Sequence, residues 1–542
     1  MKKNDLVDVL IEDMSEEGEG IGKVEGYTLF IKDAVIGDLV RARVMKTKKT
    51  YGYARLMEVV TPSAHRVEPV CPVAVPCGGC QLQCLSYDRQ LTFKEEKVRS
   101  QLRRIGGFAD PPVRPVIGME HPYGYRNKAQ FPISRSRDGR IIAGFYAGRT
   151  HSVIETPHCY LGSPVNDEVL RVIIRWMEEC GIEPYDETAH RGLVRHVLIR
   201  TGEKGQVLVC LVINGRVLPH QKELAAGLER VPGMASVSYN INTERTNVIL
   251  GPEVKHLYGD GYITDTIGEN RYRISPQSFY QVNPEQTARL YDTALRYAGL
   301  TGRETVWDLY CGTGTITLFL ARRAREVYGV EIVPAAVEDA VANAAMNGIE
   351  NAHFYTGRAE EVLPALYEEK GVQADVIVVD PPRKGCDGAL IQTILKMEPE
   401  RVVYVSCNPA TLARDLKILC EEKYELSEVQ PVDMFAQTAG VETVCLLSKL
   451  KSTQHIEVAL DMDELDLTVA EKKATYQEIK DYVMEHSGFK VSSLHIAQVK
   501  QKCGIIEREN YNKPKSEDAK QPQCLPEKEK AIMGALKYFG MI

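Results

Sequence analysis

The sequence predicts a multidomain α/β protein. It comprises an N-terminal OB-like β-barrel, a central α+β region, a Rossmann-like doubly wound domain and a small helical extension. Three observations carry this expectation. The chain has 542 residues, several times the roughly 150 of a typical domain. Its first 62 residues alternate apolar and polar side chains between Gly-rich turns such as EGEGIG, the pattern of short half-buried strands. From Glu304 onward, short apolar runs alternate with helical segments, as in a mostly parallel sheet with helices on both faces. The expected boundaries are 1–62, 63–300, 301–450 and 451–542.

Composition narrows the class. Hydrophobic residues make up 44% and charged residues 26%, and 67 Lys/Arg stand against 74 Asp/Glu for a net charge of -7. A wholly basic nucleic-acid coat is excluded, although local basic faces are not. No run approaches the roughly 20 apolar residues that cross a bilayer. The start, MKKNDLVDVLIEDMSEEGEG, carries acids where a signal peptide needs an apolar core. A cytoplasmic protein with no membrane association and no obligate protein partner is expected. The fourteen cysteines are then metal ligands, nucleophiles or buried thiols rather than disulfides.

In the barrel, KNDLVDVLIEDM, GIGKVEGYTLFI and DLVRARVMKTKKTYGYARLMEVV supply five strands in about 60 residues. Arg41 to Arg55 holds six basic residues, no acid, and Tyr51 and Tyr53. Such a strand pair suits phosphates and unstacked bases; equally, it suits a solvated surface over core tyrosines. The segment alone leaves both open. In the central region, residues 89–149 carry 13 Lys/Arg against 5 Asp/Glu, a basic stretch of the kind that faces nucleic acid. The last 90 residues start with the acidic linker EVALDMDELDLTVAEKK. TYQEIKDYVMEHSG, SSLHIAQVKQKCGI and EKEKAIMGALKYFG then read as amphipathic helices around ENYNKPKSEDAKQPQC, a module of winged-helix character.

The doubly wound domain carries a cofactor turn. Asp308-Leu-Tyr-Cys-Gly-Thr-Gly-Thr-Ile-Thr follows the strand ETVW, and Gly312 and Gly314 let the backbone turn sharply beside a ligand. Glu331 ends the next strand, 23 residues after Asp308, where an acid takes both hydroxyls of a ribose. There is neither a P-loop GKS/GKT nor a G-x-G-x-x-G. A ribose acid without a pyrophosphate cradle fits S-adenosylmethionine better than NAD. The strand ADVIVV ends in Asp380-Pro-Pro-Arg-Lys-Gly, placing Asp380 in the crevice at the strands' carboxyl ends with Arg383 and Lys384 at its rim.

The strand RVVYVS delivers Cys407 in Ser406-Cys407-Asn408-Pro409, just before the helix ATLARDLKIL. A helix N-terminus is expected to lower the thiol pKa. Glu442, 35 residues on, returns to the same sheet edge and is a candidate base. A thiol and a carboxylate beside a methyl donor fit methylation of a carbon that is not nucleophilic by itself, such as carbon 5 of uracil. Thiolate attack at carbon 6 makes carbon 5 nucleophilic, a base then removes its proton, and the thiol leaves. The target nucleotide has to be extruded from its stack. Simple N- or O-methylation needs no thiol.

DLYCGTGTI, DPPRKG, SCNP and VET, in this order, with SPQSFYQVNP upstream, resemble the class I RNA uracil-C5 methyltransferases. Within that family the similarity runs to the bacterial 23S rRNA 5-methyluridine enzymes with an N-terminal TRAM domain, over residues 1 to about 450. The resemblance implies Cys407 as nucleophile, Glu442 as base, and Gln281, Tyr310, Glu331 and Asp380 as S-adenosylmethionine ligands. It also implies RNA, 23S rRNA in particular, as partner, with the barrel as an RNA-binding TRAM domain. Phe279 in SPQSFYQ would lie near the target base, the plainer alternative being a core aromatic. One departure is FAQTAGVET, where relatives often have FPxTxHVET.

Cys71-x5-Cys77-x2-Cys80 has ligand-like spacing, with Cys84 and Cys159 as candidates for a fourth position. Spacing alone leaves structural zinc and an iron–sulfur cluster equally open. The resemblance implies a [4Fe–4S] cluster on Cys71, Cys77, Cys80 and Cys159, with Cys84 a bystander where relatives often carry His, and His158 structural. Cys180, Cys210, Cys311, Cys420 and Cys445 are expected in apolar elements or the cofactor turn; Cys386, Cys503 and Cys524 in loops or at the surface. Three other functions are weighed. A tRNA enzyme of the same family is opposed by the presence of both barrel and cysteine cluster, which its bacterial form usually lacks. A non-catalytic assembly factor is opposed by the intact Cys407 and Glu442. A radical enzyme is opposed by the absence of C-x3-C-x2-C spacing.

Overall fold

Strands β1 (Leu6–Met14), β2 (Gly20–Val24), β3 (Tyr27–Lys32), β4 (Leu39–Thr47) and β5 (Tyr51–Thr61) close into a barrel in the order β1-β2-β3-β5-β4. The computed structural model describes residues 1–148, 150–450, 476–487, 489, 491–503, 526–539 and 541. Period-2 alternation sends Val9, Ile11, Leu29, Ile31, Val40, Ala42 and Val44 inward, leaving Arg43, Lys46 and Arg55 exposed. Tyr51 and Tyr53 are half-buried rather than core. With Phe30 they form an aromatic trio whose ring centroids lie 5.6 to 5.9 Å apart. Arg41 is ion-paired with Asp8 and Glu58.

Helix α1 (Tyr87–Arg104) follows the Pro/Cys/Gly-rich segment. The central sheet consists of β6 (Lys128–Arg135), β7 (Ile141–Tyr146), β8 (Val153–Glu155), β9 (Val194–Thr201), β10 (Val207–Ile213), β11 (Met234–Ile241) and β12 (Glu253–Gly259). Its order is β12-β11-β10-β9-β6-β7-β8. Helices α2 (Val165–Glu179) and α3 (Gln221–Leu228) cover it through a core that includes Phe131, Ile173, Trp176 and Val209. The hairpin β13 (Ile263–Ile267) and β14 (Asn270–Ile274) leads into α4 (Pro284–Ala298).

The third layer system alternates strand and helix: β15 (Thr305–Leu309), α5 (Thr315–Ala321), β16 (Glu326–Glu331), α6 (Pro334–Met346), β17 (Ala352–Thr356), α7 (Ala359–Lys370), β18 (Val376–Val379), α8 (Gly388–Met397), β19 (Arg401–Ser406) and α9 (Pro409–Glu422). Then come β20 (Tyr424–Val432) and β21 (Glu442–Lys449). The order is β17-β16-β15-β18-β19-β21-β20. Six strands run the same way, and β21 alone inserts antiparallel, between β19 and β20. Two of these strands, β17 and β20, escape the sequence pattern because they are edges. AHFYT is not a continuous apolar run, and YELSEVQPV contains Pro431, which an edge strand tolerates. The chain reverses direction across the sheet between β15 and β18, opening a crevice at their carboxyl ends. Val98 and Leu102 of α1 join the core on one face of this sheet; Leu290 and Ala294 of α4 join the other.

Residues Ser452–Ile542 separate from Met1–Lys451 as a second unit. In it α10 (Tyr476–Ser487), α11 (Ser493–Lys502) and α12 (Pro526–Tyr538) bury Ile479, Val483, Ile496, Val499, Ile532 and Leu536 against one another. The acidic linker, ENYNKPKSEDAKQPQC and Cys524 lie outside the described residues. No strand that would complete a winged helix occurs among the described residues of this unit. No helix among the described residues is long and apolar enough to cross a membrane. Cys386, expected in a loop or at the surface, lies in the loop between β18 and α8 and is buried there, since that loop folds beneath α9, where its backbone N–H donates to Asp415 at 2.8 Å.

Candidate active site

The turn after β15 is built by backbone conformation. Tyr310, Gly312 and Gly314 all take positive φ, at 69°, 55° and 79°. This tight course lets the Tyr310 and Cys311 N–H groups donate to Val330 O at 2.9 and 3.0 Å. A Cβ on Gly312 would meet no atom within 4 Å, so the turn faces open space where a ligand can approach the backbone. Glu331 stands at its edge, accepting from the Gly312 N–H at 3.1 Å and the Val333 N–H at 2.9 Å. Beneath it Asp308 is fully buried and accepts from Thr317 Oγ1 at 2.5 Å. Burial raises the Asp308 carboxyl to about 7, with Asp380 adding to the effect.

Cys407 follows β19 directly and is half-buried. Asn408 caps α9 by accepting from the Ala410 N–H at 3.0 Å, which fixes the turn that carries the thiol. Glu442, the first residue of β21, is buried, and Asp380 directly follows β18. Because β21 runs against β19, its first residue comes back beside the carboxyl end of β19, where Cys407 sits. Cys407, Glu442, Asp380 and Arg383 lie within electrostatic range of one another. The Asp380-Pro-Pro-Arg-Lys loop is tied to α9 by Asn408 Nδ2 and Thr411 Oγ1, which donate to Arg383 O at 3.2 Å each.

The electrostatics reverse one expectation. The Cys407 thiol is pushed up, not down, by burial and then by Glu442 and Asp380, with Arg383 opposing. A helix N-terminus supplies only part of a charge, and burial, with the two carboxyls adding to it, outweighs it. Burial likewise pushes Glu442 well above the usual carboxylate range, aided by Asp380 and opposed by Arg383. Asp380 itself is raised to about 7 by burial.

The SPQSFYQ loop is fixed from three sides. Buried Arg200 of β9 donates to Ser278 O, Ser278 Oγ donates to Asp339 at 2.9 Å, and Thr313 Oγ1 donates to Phe279 O at 3.4 Å. Phe279 is 68% exposed, so it is not a core aromatic. Gln281 is half-buried, and its carbonyl accepts from Asn127 Nδ2 at 3.0 Å.

The loop that leads into Glu442 is held by residues remote in sequence. Buried Lys94 of α1 donates to Asp433 and, at 3.0 Å, to Phe435 O. Tyr125 OH donates to Ala436 O at 3.0 Å, and Lys97 Nζ donates to Ala439 O at 2.9 Å. Gln437, at φ 67°, exchanges bonds with Gln90, and its carbonyl accepts from the Gln81 and Leu82 N–H groups at 3.1 and 3.0 Å. Sequence reading missed Lys94, Gln90 and Gln437. The polar residues on the buried face of α1 are the signal available for the first two, but nothing local names their partners.

The cysteine segment lies just before those two N–H groups. Cys71 and Cys77 are buried, Cys80 and Cys159 half-buried. Cys71, Cys77 and Cys80 each lie within electrostatic range of Cys159, and burial raises all three thiols, Cys80 to about 11. Cys84 faces Arg66, Asp33 and Asp38 instead. His158 bonds Asp167 at 2.7 Å. Among the described residues, no group of three His, Cys, Asp or Glu is gathered as for a single metal ion. Four thiols in one neighbourhood are the donor chemistry that both zinc and an iron–sulfur cluster take.

Comparison with known proteins agrees with this architecture. The tRNA (uracil-5-)-methyltransferase family matches residues 254–450 and the TRAM domain matches residues 2–57. An uncharacterised RNA methyltransferase of Halalkalibacterium halodurans is 52% identical over 449 residues, covering 82% of this chain and 98% of the relative. One from Clostridium tetani is 47% identical over 450 residues, covering 83% and 97%. The Pyrococcus abyssi tRNA (uracil-54, C5)-methyltransferase, solved in complex with S-adenosyl-L-homocysteine, aligns with a TM-score of 0.65 at 27% identity. It covers 81% of this chain and 100% of that one. The chain belongs to the TRAM-containing class I RNA uracil-C5 methyltransferase family.

Proposed function

We propose that this protein methylates carbon 5 of uridine in 23S rRNA through a covalent Cys407–carbon 6 adduct, with Glu442 as the base. The observation that carries the reading is the meeting of Cys407, Glu442, Asp380 and Arg383 at the carboxyl ends of β18 and β19 and the start of β21. Gln281, Tyr310, Glu331 and Asp380 would hold S-adenosylmethionine, a fit supported by the open space above Gly312 and by the placement of Glu331 beside it. When bound, that cofactor supplies an electrophilic methyl group to carbon 5.

The chain's own groups do the remaining work. The Cys407 thiolate, which Arg383 favours, adds to carbon 6 and shifts the double-bond electrons toward carbon 5 and the carbonyl oxygen at carbon 4. After carbon 5 gains its methyl, Glu442 takes the proton from carbon 5. The electron pair of that C–H bond re-forms the 5,6 double bond and expels Cys407 as thiolate. The raised carboxyl of Glu442 makes it a stronger base once ionised. Exposed Phe279 stands ready to contact the extruded nucleotide.

The test is RNA containing 5-fluorouridine with S-adenosylmethionine. Fluorine cannot leave as a proton, so a stable protein–RNA adduct through Cys407 is expected, and its absence with active enzyme refutes the nucleophile. Mapping 5-methyluridine in rRNA and tRNA from a deletion strain decides the substrate; loss from tRNA alone refutes 23S rRNA. We assign a [4Fe–4S] cluster to Cys71, Cys77, Cys80 and Cys159. Anaerobic purification should give brown protein with about four irons per chain, and one zinc would overturn the assignment.

A further inference from the structure

A cavity of about 580 Å³ opens in the central domain, away from the cysteine thiolate and the cofactor turn. It lies among the ends of β6 and β7, the start of β9 and the 183–192 loop, and falls within the roughly 300–1,000 Å³ typical of small-molecule sites. Six side chains define its chemistry: Tyr146, His151, Tyr185, Glu187, Arg195 and His196. None belongs to the methyl-transfer machinery.

Two of them are buried with unused hydrogen-bonding atoms. Arg195 is 6% and His196 7% exposed. Arg195 Nη1 donates to the Asn242 and Glu244 carbonyls at 2.8 Å each, and its guanidinium lies 4.6 Å over the Tyr185 ring, but Nε has no partner. His196 Nε2 meets Tyr146 OH at 3.3 Å, while Nδ1 has none. Both atoms are closed off from the cavity, so Arg195 and His196 form its floor rather than bond its contents. Glu187 accepts from Tyr146 OH at 3.2 Å and bonds His151 at 2.6 Å, which leaves the carboxylate oriented with further lone pairs to use.

The chemistry disfavours a phosphate. The guanidiniums of Arg135, Arg191 and Arg195 are matched around the cavity by the carboxylates of Glu183, Asp186 and Glu187, Arg135 being engaged with Glu183 at 2.7 Å. Burial drives His196 down to about 4 so that it stays neutral, which leaves no excess positive charge for an anion. What remains is the aromatic surface of Tyr146, His151 and Tyr185 beside the oriented, exposed Glu187 carboxylate. That is complementary to the face and edge of a nucleobase. The strand supporting it also supports the SPQSFYQ loop. Arg195 and His196 begin β9, and Arg200, four residues beyond His196 and roughly 13 Å along the strand, donates to Ser278 O.

We propose that this cavity is a second nucleotide site, which takes an unpaired, amino-bearing base of the RNA substrate and so sets the register of the target uridine. The proposal rests on the RNA methyltransferase reading. An amino-bearing base is favoured because Glu187 accepts and uracil offers no exocyclic amine.

The test uses the full chain and a randomised single-stranded RNA 12-mer, with photo-crosslinking and mass mapping of the peptides. Nucleotide adducts are expected on the peptides containing Tyr146 and Tyr185. Tyr185→Ala should weaken RNA binding about tenfold, the loss of one stacked base, while Tyr185→Phe retains affinity. In methyl transfer the Ala variant should raise KM and leave kcat unchanged. Glu187→Gln, at a partly exposed side chain, should narrow the preference for oligo-A and oligo-C over oligo-U without lowering the melting temperature. Unaltered affinity in Tyr185→Ala, or crosslinks absent from both peptides, overturns the proposal. Crosslinking is independent of the chemistry at Cys407. If the crosslinks form but the 5-fluorouridine adduct does not, the catalytic reading fails and this site stands.

Discussion

Replacing Lys94 by Met tests how the loop before Glu442 is held. Lys94 and Asp433 are both 0% exposed and form an ion pair across 339 residues of sequence. Met keeps much of the stem's volume and removes the charge. Asp433 would keep only Tyr87 OH, at 2.7 Å, as a side-chain donor, and Phe435 O would lose the Lys94 ammonium. Removing one partner of a buried pair costs about 3–5 kcal/mol, since the remaining charge stays buried. That is more than a hundredfold in the local opening equilibrium. A multidomain chain does not unfold in two states, so the assay is hydrogen exchange on peptides covering 87–104 and 433–442. Exchange there should accelerate by that factor while β10 and β11 are unchanged. Removing the stranded charge in Lys94→Met/Asp433→Asn should restore at least about 1 kcal/mol. A single variant costing under about 1 kcal/mol, or a double variant no better protected than the single, would refute the reasoning.

Three further outcomes are expected. Glu442→Gln should stall after methyl transfer, so a methylated covalent RNA adduct accumulates on denaturing gels, whereas Cys407→Ser gives none; free turnover by either variant contradicts the assigned roles. Asp380 is raised to about 7, so it is charged above that pH and opposes ionisation of Cys407. Asp380→Asn should therefore speed iodoacetamide alkylation of Cys407, followed on its own peptide, above pH 7 and leave it unchanged below pH 6. Asp308 titrates near 7 folded against 3.8 ordinarily. Folding thus binds a proton between those values, and the stability it contributes is full below about 4 and falls as pH rises to 7. Asp308→Asn, which retains an acceptor for Thr317, should raise the melting temperature at pH 8 and not at pH 4, the ceiling being about 4 kcal/mol; an equal gain at both pH values would contradict burial as the cause.

Much of the architecture is legible in the chain. The alternation of LVDVLIEDM and its neighbours specifies a barrel, and the burial of every second residue follows it. The buried strands VIVV and RVVYVS announce themselves as apolar runs. Edge strands β17 and β20 do not, because exposed positions such as His353, Glu425 and Ser427 carry polar residues, and the outer backbone of β20 is bonded by the 112–117 segment. Cys386 reads as a loop thiol because burial beneath α9 depends on Asp415, 29 residues away.

The sequence by itself determined the carboxyl-end placement of Asp308, Glu331, Asp380 and Cys407, since each ends or directly follows an apolar run and a parallel sheet opens its crevice on that side. Only the tertiary structure decided how those groups act on one another. Burial of Cys407, with Glu442 brought beside it by antiparallel β21 and with Asp380, turns an expected low thiol pKa into a raised one. The tertiary structure alone also joined Lys94 to Asp433 and gathered Arg195, His196 and Glu187 around one cavity. Periodicity records which face of an element is apolar, a local property. Electrostatic coupling depends on distances between groups that the chain separates by up to hundreds of residues, and those distances exist only once it has folded.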